Sequence, residues 1–539
     1  MKKLPPEHNN LSAENQTLIA PLAALDSEEC YAAMQAHDFR FDGVFFVAVS
    51  TTKIYCRPIC RVRLPKLDRC TFYHNAASAE QAGYRPCLRC RPELAPGNAQ
   101  MDAVKRVAQM AASRIKAGAL SDNNVEALAK EFGISDRQLR RSIETEYGVS
   151  PVNLAQTYRL LLAKQLLTDT QLKITDVAFA SGFSSVRRFN DAFKTKYRLN
   201  PSALRKSNTV TNKRKNNSSL TSEQGIILRL GYRPPIAWST LIHFLCSRGN
   251  SRVDCIQKDK KGNDVYYKTV SITVPLADPI PASIDKESNS NQLLSTTTGW
   301  ISAIQDEKRH QIIVELSHNL LPHLVSLQIK LRELFDLDAN PTVIEKHLGR
   351  DKKLKKIINE NSGIRIAGTL DGFELALRAV LGQQISVKAA TTVFGRFVDK
   401  FGDDVETPVA GLDKTSPNPA AIAKASIEDI IGLGLTQRRA ATVKALAVAT
   451  VDSTIPWGSS DHEFILKRLL DVSGIGPWTA QYVAMRALRE PNAFPESDLG
   501  LMKALNVEKP VEVLAHAKKW APWRAYGAIY LWTALSAGG

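Results

Sequence analysis

Leu470-Asp471-Val472-Ser473-Gly474-Ile475-Gly476-Pro477-Trp478-Thr479-Ala480 links two amphipathic helical stretches through a glycine-rich turn. This pattern predicts a helix-hairpin-helix, in which backbone N–H groups face a DNA phosphate and carbonyls can hold a cation. Twenty residues after Trp478, Phe494-Pro495-Glu496-Ser497-Asp498-Leu499-Gly500-Leu501 puts a carboxylate at a helix start. Asp498 reads as an N-cap, as a chemically active carboxylate, or as both. From about residue 340 onward the pattern is almost wholly helical.

Upstream, the pattern changes. Residues 225–335 mix amphipathic helices with strand-like runs, Tyr266-Tyr267-Lys268-Thr269-Val270-Ser271-Ile272-Thr273-Val274 and Gln311-Ile312-Ile313-Val314-Glu315-Leu316. Residues 207–222, including Lys213-Arg214-Lys215-Asn216-Asn217-Ser218-Ser219, are polar, basic and nearly free of large apolar groups, and read as a linker. Residues 102–206 read as helical throughout. Within them, Val125-Glu126-Ala127-Leu128-Ala129-Lys130-Glu131-Phe132-Gly133-Ile134-Ser135 has the helix, glycine turn and polar cap of a helix-turn-helix. The next helix carries Leu139, Ile143 and Tyr147 on one face and Arg137, Arg140 and Arg141 elsewhere. A second copy begins at Ile174-Thr175-Asp176-Val177-Ala178-Phe179-Ala180-Ser181-Gly182-Phe183-Ser184-Ser185. Its recognition helix, 186–197, would turn Val186, Phe189, Phe193 and Tyr197 inward and leave Arg187, Arg188, Asn190 and Lys194 free to face DNA. Gly133 and Gly182, like Pro151 and Pro201, recur about 50 residues apart, an internal repeat. Two such helices can enter successive major-groove turns without dimerisation, so a monomer is expected.

Nearer the start, Cys56-Arg57-Pro58-Ile59-Cys60 and Cys87-Leu88-Arg89-Cys90 form two close pairs separated by 26 residues. Paired thiolates in tight turns suit tetrahedral Zn²⁺; buried free cysteines are the other reading. Cys30 and Cys70 read as core residues.

Composition agrees with a DNA-bound chain of several domains. The 539 residues are 44% hydrophobic and 23% charged, enough for every unit to bury a core. Lys+Arg number 71 against 54 Asp+Glu, a balance of +17. Basic and acidic residues count 12 and 10 over 1–100, 21 and 10 over 101–222, and 38 and 34 beyond. The excess falls on the helix-turn-helix stretch, where a polyanion is the leading partner. The first residues lack the apolar core of a secretory signal, and no run of about 18 apolar residues occurs. A chain of the bacterial cytosol, associated with the nucleoid and with no membrane partner, is expected.

Thr51-Thr52-Lys53-Ile54-Tyr55-Cys56-Arg57-Pro58-Ile59-Cys60, together with Ala82-Gly83-Tyr84-Arg85-Pro86-Cys87-Leu88-Arg89-Cys90, closely resembles the amino-terminal domain of the Ada methyl-phosphotriester repair proteins, over about residues 25–95. The resemblance implies one Zn²⁺ on Cys56, Cys60, Cys87 and Cys90. It also implies that Cys56 takes a methyl group from a damaged DNA phosphate by direct displacement. Thr52, Arg63, Arg85 and Arg89 match positions near that phosphate. Zinc keeps a thiol deprotonated at neutral pH. Four thiolates and Zn²⁺ sum to about two negative charges, and methylation removes about one, which weakens repulsion from DNA. The paired helix-turn-helix units, ending Tyr197-Arg198-Leu199-Asn200-Pro201, resemble the AraC-type DNA-binding domain. Promoter DNA and RNA polymerase are the partners this implies.

Gly231-Tyr232-Arg233-Pro234-Pro235, Leu334-Phe335-Asp336-Leu337-Asp338-Ala339, Leu381-Gly382-Gln383-Gln384-Ile385-Ser386-Val387 and Pro522-Trp523-Arg524-Ala525-Tyr526 resemble the AlkA-type DNA-3-methyladenine glycosylases, over about residues 225–539. By this resemblance Asp498 is the catalytic carboxylate and Trp478, Tyr482 and Trp532 line the base pocket. Gly474 and Gly476 touch the DNA backbone, with a monovalent cation at the hairpin. An electron-rich aromatic cleft attracts positively charged N-alkylated purines once they leave the stack. Gln384 aligns with the wedge that fills the gap, where the best-known relative has leucine. Trp478 stands where lyase-active relatives carry lysine, so Schiff-base strand cleavage is not expected. No cysteine follows Cys255, which excludes the carboxy-terminal iron–sulfur cluster of other relatives. A Pro-Cys-His-Arg motif, the mark of guanine-methyl acceptors, does not occur.

The expected architecture is multidomain α+β. It comprises a small zinc-bound α/β domain (23–97), an all-α double helix-turn-helix domain (102–206), the linker, a small mixed α/β domain (223–335) and an all-α helix-hairpin-helix glycosylase domain (336–539). The expected function is repair of DNA alkylation coupled to induction of the response: a monofunctional 3-methyladenine-class glycosylase fused to a suicidal methylphosphotriester acceptor. The alternative is a methylation-sensing regulator whose carboxy-terminal half binds DNA without catalysis.

Overall fold

The computed structural model describes residues 27–37, 41–42, 45–73, 76–90, 92, 100–120, 124–205, 225–275, 294–459 and 461–537. The expected linker lies outside them. The first unit is a four-stranded sheet in the order β3-β1-β2-β4, formed by β1 (Phe46–Val49), β2 (Ile54–Cys56), β3 (Cys70–Tyr73) and β4 (Arg85–Pro86). Val47 packs with Met34 of the helix Ser27–Ala36 on one face, and Phe46, Ala48 and Tyr55 pack with Ala79 of the helix Ala76–Gln81 on the other. The parallel β2–β4 pairing sets Tyr55 opposite Pro86, and the Cys87 N–H donates to the Tyr55 carbonyl at 3.0 Å. Two cysteines far apart in sequence thus meet at the end of one strand pair.

The helix-turn-helix repeat is built as its caps dictate. Ser135 caps the helix Asp136–Tyr147 in a reciprocal box with Gln138. Ser150 and Pro151 start the helix Pro151–Asp169. Ser185 caps Val186–Tyr197, accepting from the Arg188 N–H at 3.2 Å. Gly133 and Gly182 hold φ of 64° and 86°, the left-handed turn conformation that glycine adopts freely. Leu139, Ile143, Phe189 and Phe193 are fully buried. Tyr147 departs from the expected inward face and is 38% exposed at the last position of its helix, where, among the described residues, it lacks the ring contact that Tyr197 makes with Phe193 in the second unit.

A five-stranded antiparallel sheet follows, in the order β5-β9-β8-β7-β6, from β5 (Gly225–Gly231), β6 (Asp254–Lys258), β7 (Asp264–Pro275), β8 (Leu294–Asp306) and β9 (Gln311–Ser317). Ile226, Leu228 and Leu230 alternate into a core shared with the helices Trp238–Ser247 and Leu324–Leu334. The second helix-turn-helix unit packs into the same core. The helix Pro151–Asp169 contacts edge strand β5, whose outward carbonyls would otherwise be open to pairing. Gln165 Nε2 donates to the Arg229 carbonyl at 3.0 Å, Gln328 Nε2 donates to Gln165 Oε1 at 3.0 Å, and Arg229 pairs with Asp169 at 3.3 Å. Cleaving a protease site inserted at residues 213–217 should therefore leave both halves co-eluting on gel filtration at about 0.15 M salt. Separation of the nicked halves would show that this contact does not hold them.

The remaining helices surround one large core that includes Phe373, Phe394, Trp520, Tyr526 and Trp532. Within it the helices His462–Asp471 and Pro477–Arg486 form the hairpin. Ala32 of the first unit also packs on this core, beside a 2.8 Å ion pair between Glu28 and Arg350. No helix among the described residues is long and apolar enough to cross a membrane.

Candidate functional site

The Sγ atoms of Cys56, Cys60, Cys87 and Cys90 all lie within 4.8 Å of one another; the first three residues are buried and Cys90 is half-buried. Arg57 organises the loop between the pairs. Its backbone N–H points at Cys90 Sγ (3.4 Å), its guanidinium donates to the Cys90 carbonyl (3.2 Å), and Asp42 holds its Nε at 2.8 Å. Four sulfurs this close cannot all carry charge unaided. Hydrogen bonds from Cys56, then Cys90, hold the Cys60 thiol down at about 2, whereas its hydrogen bond to Cys60 pushes Cys56 far up. A soft divalent ion in tetrahedral surroundings relieves that crowding, and the donor set fits Zn²⁺. Cys70 stands apart, its thiol donating to the Lys66 carbonyl at 3.3 Å, and Cys30 is 1% exposed in the core. Thr52, Arg63, Arg85 and Arg89 are exposed, and no carboxylate pairs with these arginines among the described residues.

Arg137, Arg187 and Arg188 are exposed on the two recognition helices. Arg140 is half-buried and bonded to Asp136 at 2.9 Å. An exposed i,i+4 pair of this kind contributes only about 0.3–0.5 kcal/mol, so a phosphate can displace the carboxylate.

The larger site is a cleft of about 1420 Å³ between the hairpin and the helix starts at 387 and 499. Asp498 caps Leu499–Leu505, with Oδ1 accepting from the Leu501 N–H at 2.9 Å. The same oxygen accepts from Trp532 Nε1 at 2.9 Å, and Oδ2 accepts from Trp478 Nε1 at 3.1 Å. The N-cap and cleft readings of this residue hold together, and two indoles fix the carboxylate's orientation. Trp478 stacks on Tyr482 with centroids 5.3 Å apart and planes within 8°, and Trp532 lies 6.1 Å from Tyr482.

The floor of this cleft carries positive groups that sequence reasoning missed. Arg486 donates to the Tyr482 hydroxyl at 2.6 Å and to the Ala367 carbonyl at 2.7 Å. Arg378 pairs with Glu374 at 2.6 Å, and Lys268 reaches the same carboxylate at 3.1 Å, holding Glu374 down at about 2 against its burial. Arg248 lies over the Phe244 ring at 3.7 Å, with no carboxylate in ion-pair reach among the described residues. Burial alone would raise the Tyr482 phenol, but Arg486, Arg248 and Arg378 pull it below its ordinary value.

At the hairpin, Gly474 has φ 91°, and a Cβ there would meet Thr442 Oγ1 at 2.0 Å. Among the described residues no acceptor takes the Gly474 or Gly476 N–H, so both donors are open. Gln384, at the cleft mouth, is exposed with φ 58°, a strained conformation for a residue with a side chain, costing about 1–3 kcal/mol.

Four family models match in order: the metal binding domain of Ada over residues 29–93, a helix-turn-helix domain over 128–207, the AlkA N-terminal domain over 227–371, and the HhH-GPD superfamily of base excision DNA repair proteins over 377–517. A "probable bifunctional transcriptional activator/DNA repair enzyme AlkA" of Mycobacterium tuberculosis is 34% identical over 515 residues, 95% of this chain and 97% of that protein. DNA-3-methyladenine glycosylase 2 of Escherichia coli is 29% identical over 56% of this chain and 95% of its own length. The bifunctional transcriptional activator/DNA repair enzyme Ada of Escherichia coli is 32% identical over 32% of this chain and 47% of its own. With a relative matched from end to end, and all four units in the same order, the chain belongs to the family of bifunctional transcriptional activator/DNA repair enzymes of the AlkA type.

Proposed function

We propose that the chain excises N-alkylated purines of the 3-methyladenine class from DNA, and that its Cys56 accepts methyl groups from DNA methylphosphotriesters and thereby activates transcription. The observation that carries the enzyme reading is Asp498, a carboxylate clamped by two indole N–H groups inside an aromatic cleft. The extruded base is received by the stacked Trp478 and Tyr482 and by Trp532. The C1′–N bond breaks with its electron pair going to the base, and Asp498 opposes the positive charge that develops on the sugar. Water adds to C1′ and loses a proton. Without a lysine at the hairpin, the reaction ends at the abasic site.

Gly474 and Gly476 hold the DNA backbone, and Gln384 fills the gap left by the base. A monovalent cation on the hairpin carbonyls belongs to the same reading; the Gly474 carbonyl already accepts from Gln383 Nε2 at 3.1 Å and keeps a second lone pair.

Zinc bound by Cys56, Cys60, Cys87 and Cys90 supplies thiolates that stay deprotonated and nucleophilic at neutral pH. Cys56 Sγ forms the new S–C bond as the O–CH₃ bond breaks, and the phosphate departs as an ordinary diester anion. Thr52, Arg63, Arg85 and Arg89 orient that phosphate. The cysteine ends as a thioether, so each chain reacts once. Loss of about one negative charge then strengthens binding through Arg137, Arg140, Arg187 and Arg188, an effect that weakens with salt. The domain limits given above, a monomeric chain and contact with RNA polymerase complete the reading.

Two measurements test it. The full chain should release methylated purines from alkylated DNA. Mass spectrometry after exposure to methylphosphotriester DNA should find one methyl group, on Cys56; a methyl on Cys60, Cys87 or Cys90 would refute the assignment.

A further inference from the structure

The loop carrying Gln384 is tied to the DNA-facing hairpin from several sides. Gln383 Nε2 donates to the Gly474 carbonyl and to Thr479 Oγ1, each at 3.1 Å, and the Gln383 carbonyl accepts from Arg439 at 2.6 Å. On the other flank, Ser386 caps the helix Val387–Phe401, accepting from the Ala389 N–H at 3.2 Å. Gln384 itself is held in the left-handed conformation, exposed at the cleft mouth, and its side-chain amide has no hydrogen-bond partner among the described residues. A pinned frame thus presents one solvent-facing primary amide, with no protein partner among the described residues, at the mouth of the cleft.

The chemistry of the gap left by an extruded base differs from that of its neighbours. When a base leaves the duplex, its former partner keeps a pairing edge that has lost its hydrogen bonds. An apolar wedge fills the space but leaves that edge dry and unpaired. A primary amide sets an N–H donor next to a carbonyl acceptor, the arrangement with which glutamine reads a base edge through two bonds. Cytosine offers an amino donor beside a ring-nitrogen acceptor, and thymine an imide N–H beside a carbonyl. Either complements the amide in a two-bond pairing.

We propose that Gln384 hydrogen-bonds the orphaned pyrimidine, so that this chain reads the base opposite the lesion as well as the lesion. The proposal rests on the glycosylase reading, with Gln384 in the gap. The test uses the full chain and duplexes that carry a tetrahydrofuran abasic analogue opposite either thymine or difluorotoluene, which has thymine's shape without its pairing groups. The chain should bind the thymine duplex about 10-fold more tightly, the factor expected of one good two-bond contact. Gln384→Leu, which keeps a similar volume and the same unbranched Cβ, should bring that ratio to about 1 by the same argument. Contacts made by the other DNA-binding units are common to both duplexes and cancel. Single-turnover release of N7-methylguanine opposite the same two bases should show the same ratio and the same loss. A ratio that is unchanged in Gln384→Leu, or a parent chain that does not distinguish the duplexes, overturns the proposal. A full binding ratio with no base released from any duplex would instead refute the glycosylase reading and leave the contact standing.

Discussion

Asp498→Asn should lower base release from alkylated DNA by about 100-fold or more, the scale typical of losing one group that stabilises charge in a transition state. The substitution separates two roles that the structure joins in one side chain. Asparagine keeps an oxygen that can accept from the Leu501 N–H and from Trp532 Nε1, so the helix start stays capped. Its amino group then faces Trp478 Nε1, now donor against donor, and the negative charge is gone. DNA affinity should change little, because a carboxylate near phosphates contributes repulsion. Trp532→Phe provides the complementary comparison: it keeps an aromatic ring for the base while removing the indole donor together with the larger ring surface. Release at the parent rate by Asp498→Asn, measured as free methylated purine per enzyme, would reduce Asp498 to a helix cap and place the catalytic group elsewhere in the cleft.

Much of this site was legible because local chemistry dictates it. The hairpin glycines announce a turn that only glycine fits at position 474, where a Cβ would strike Thr442. Ser135, Ser150 and Ser185 mark helix starts by side-chain geometry that spans three residues. The four cysteines specify their own meeting, since few other arrangements satisfy them. Arg248 was not legible. It enters the cleft from the end of the helix Trp238–Ser247, some 250 residues before Asp498, and nothing in its local pattern distinguishes it from a solvated arginine. The same holds for Arg486, whose partners are the Tyr482 hydroxyl and two carbonyls near residue 367. Periodicity reports which face of a helix is buried, not what lies opposite. The aromatic cleft is therefore lined by arginines as well as by rings. Arg378 pairs with Glu374 and Arg486 donates to neutral oxygens, whereas Arg248 has no carboxylate in ion-pair reach among the described residues. The contact between the helix Pro151–Asp169 and β5 was not legible for a similar reason, because an edge strand does not announce in sequence what will cover it.

Removing the metal should have the second large effect, and a local one. Cys60→Ala or Cys87→Ala should abolish zinc binding and unfold residues 25–95 while leaving the carboxy-terminal helices folded. The apolar core of this unit is divided into small groups: Cys30, Ala33, Phe41 and Phe45 in one, and Phe46, Ala48, Tyr55 and Ala79 in another. Strand β4 contributes only two residues to the sheet. A unit of this size has too little buried surface to offset the entropy of ordering its chain. The missing free energy comes from the ion, since structural zinc in small domains is worth about 10–16 kcal/mol and that binding energy is folding energy. The glycosylase core depends on none of it. Among the described residues it meets the first unit along the helix Ser27–Ala36, where Ala32 and Ala36 pack on it beside the half-exposed Glu28–Arg350 pair. Hydrogen exchange on the full chain, with and without a chelator, reads both halves at once. Protection lost across 45–90 but kept across 462–537 is the expected result. A zinc-free chain that stays protected from 45 to 90 would mean that the four thiols are core residues first and metal ligands second.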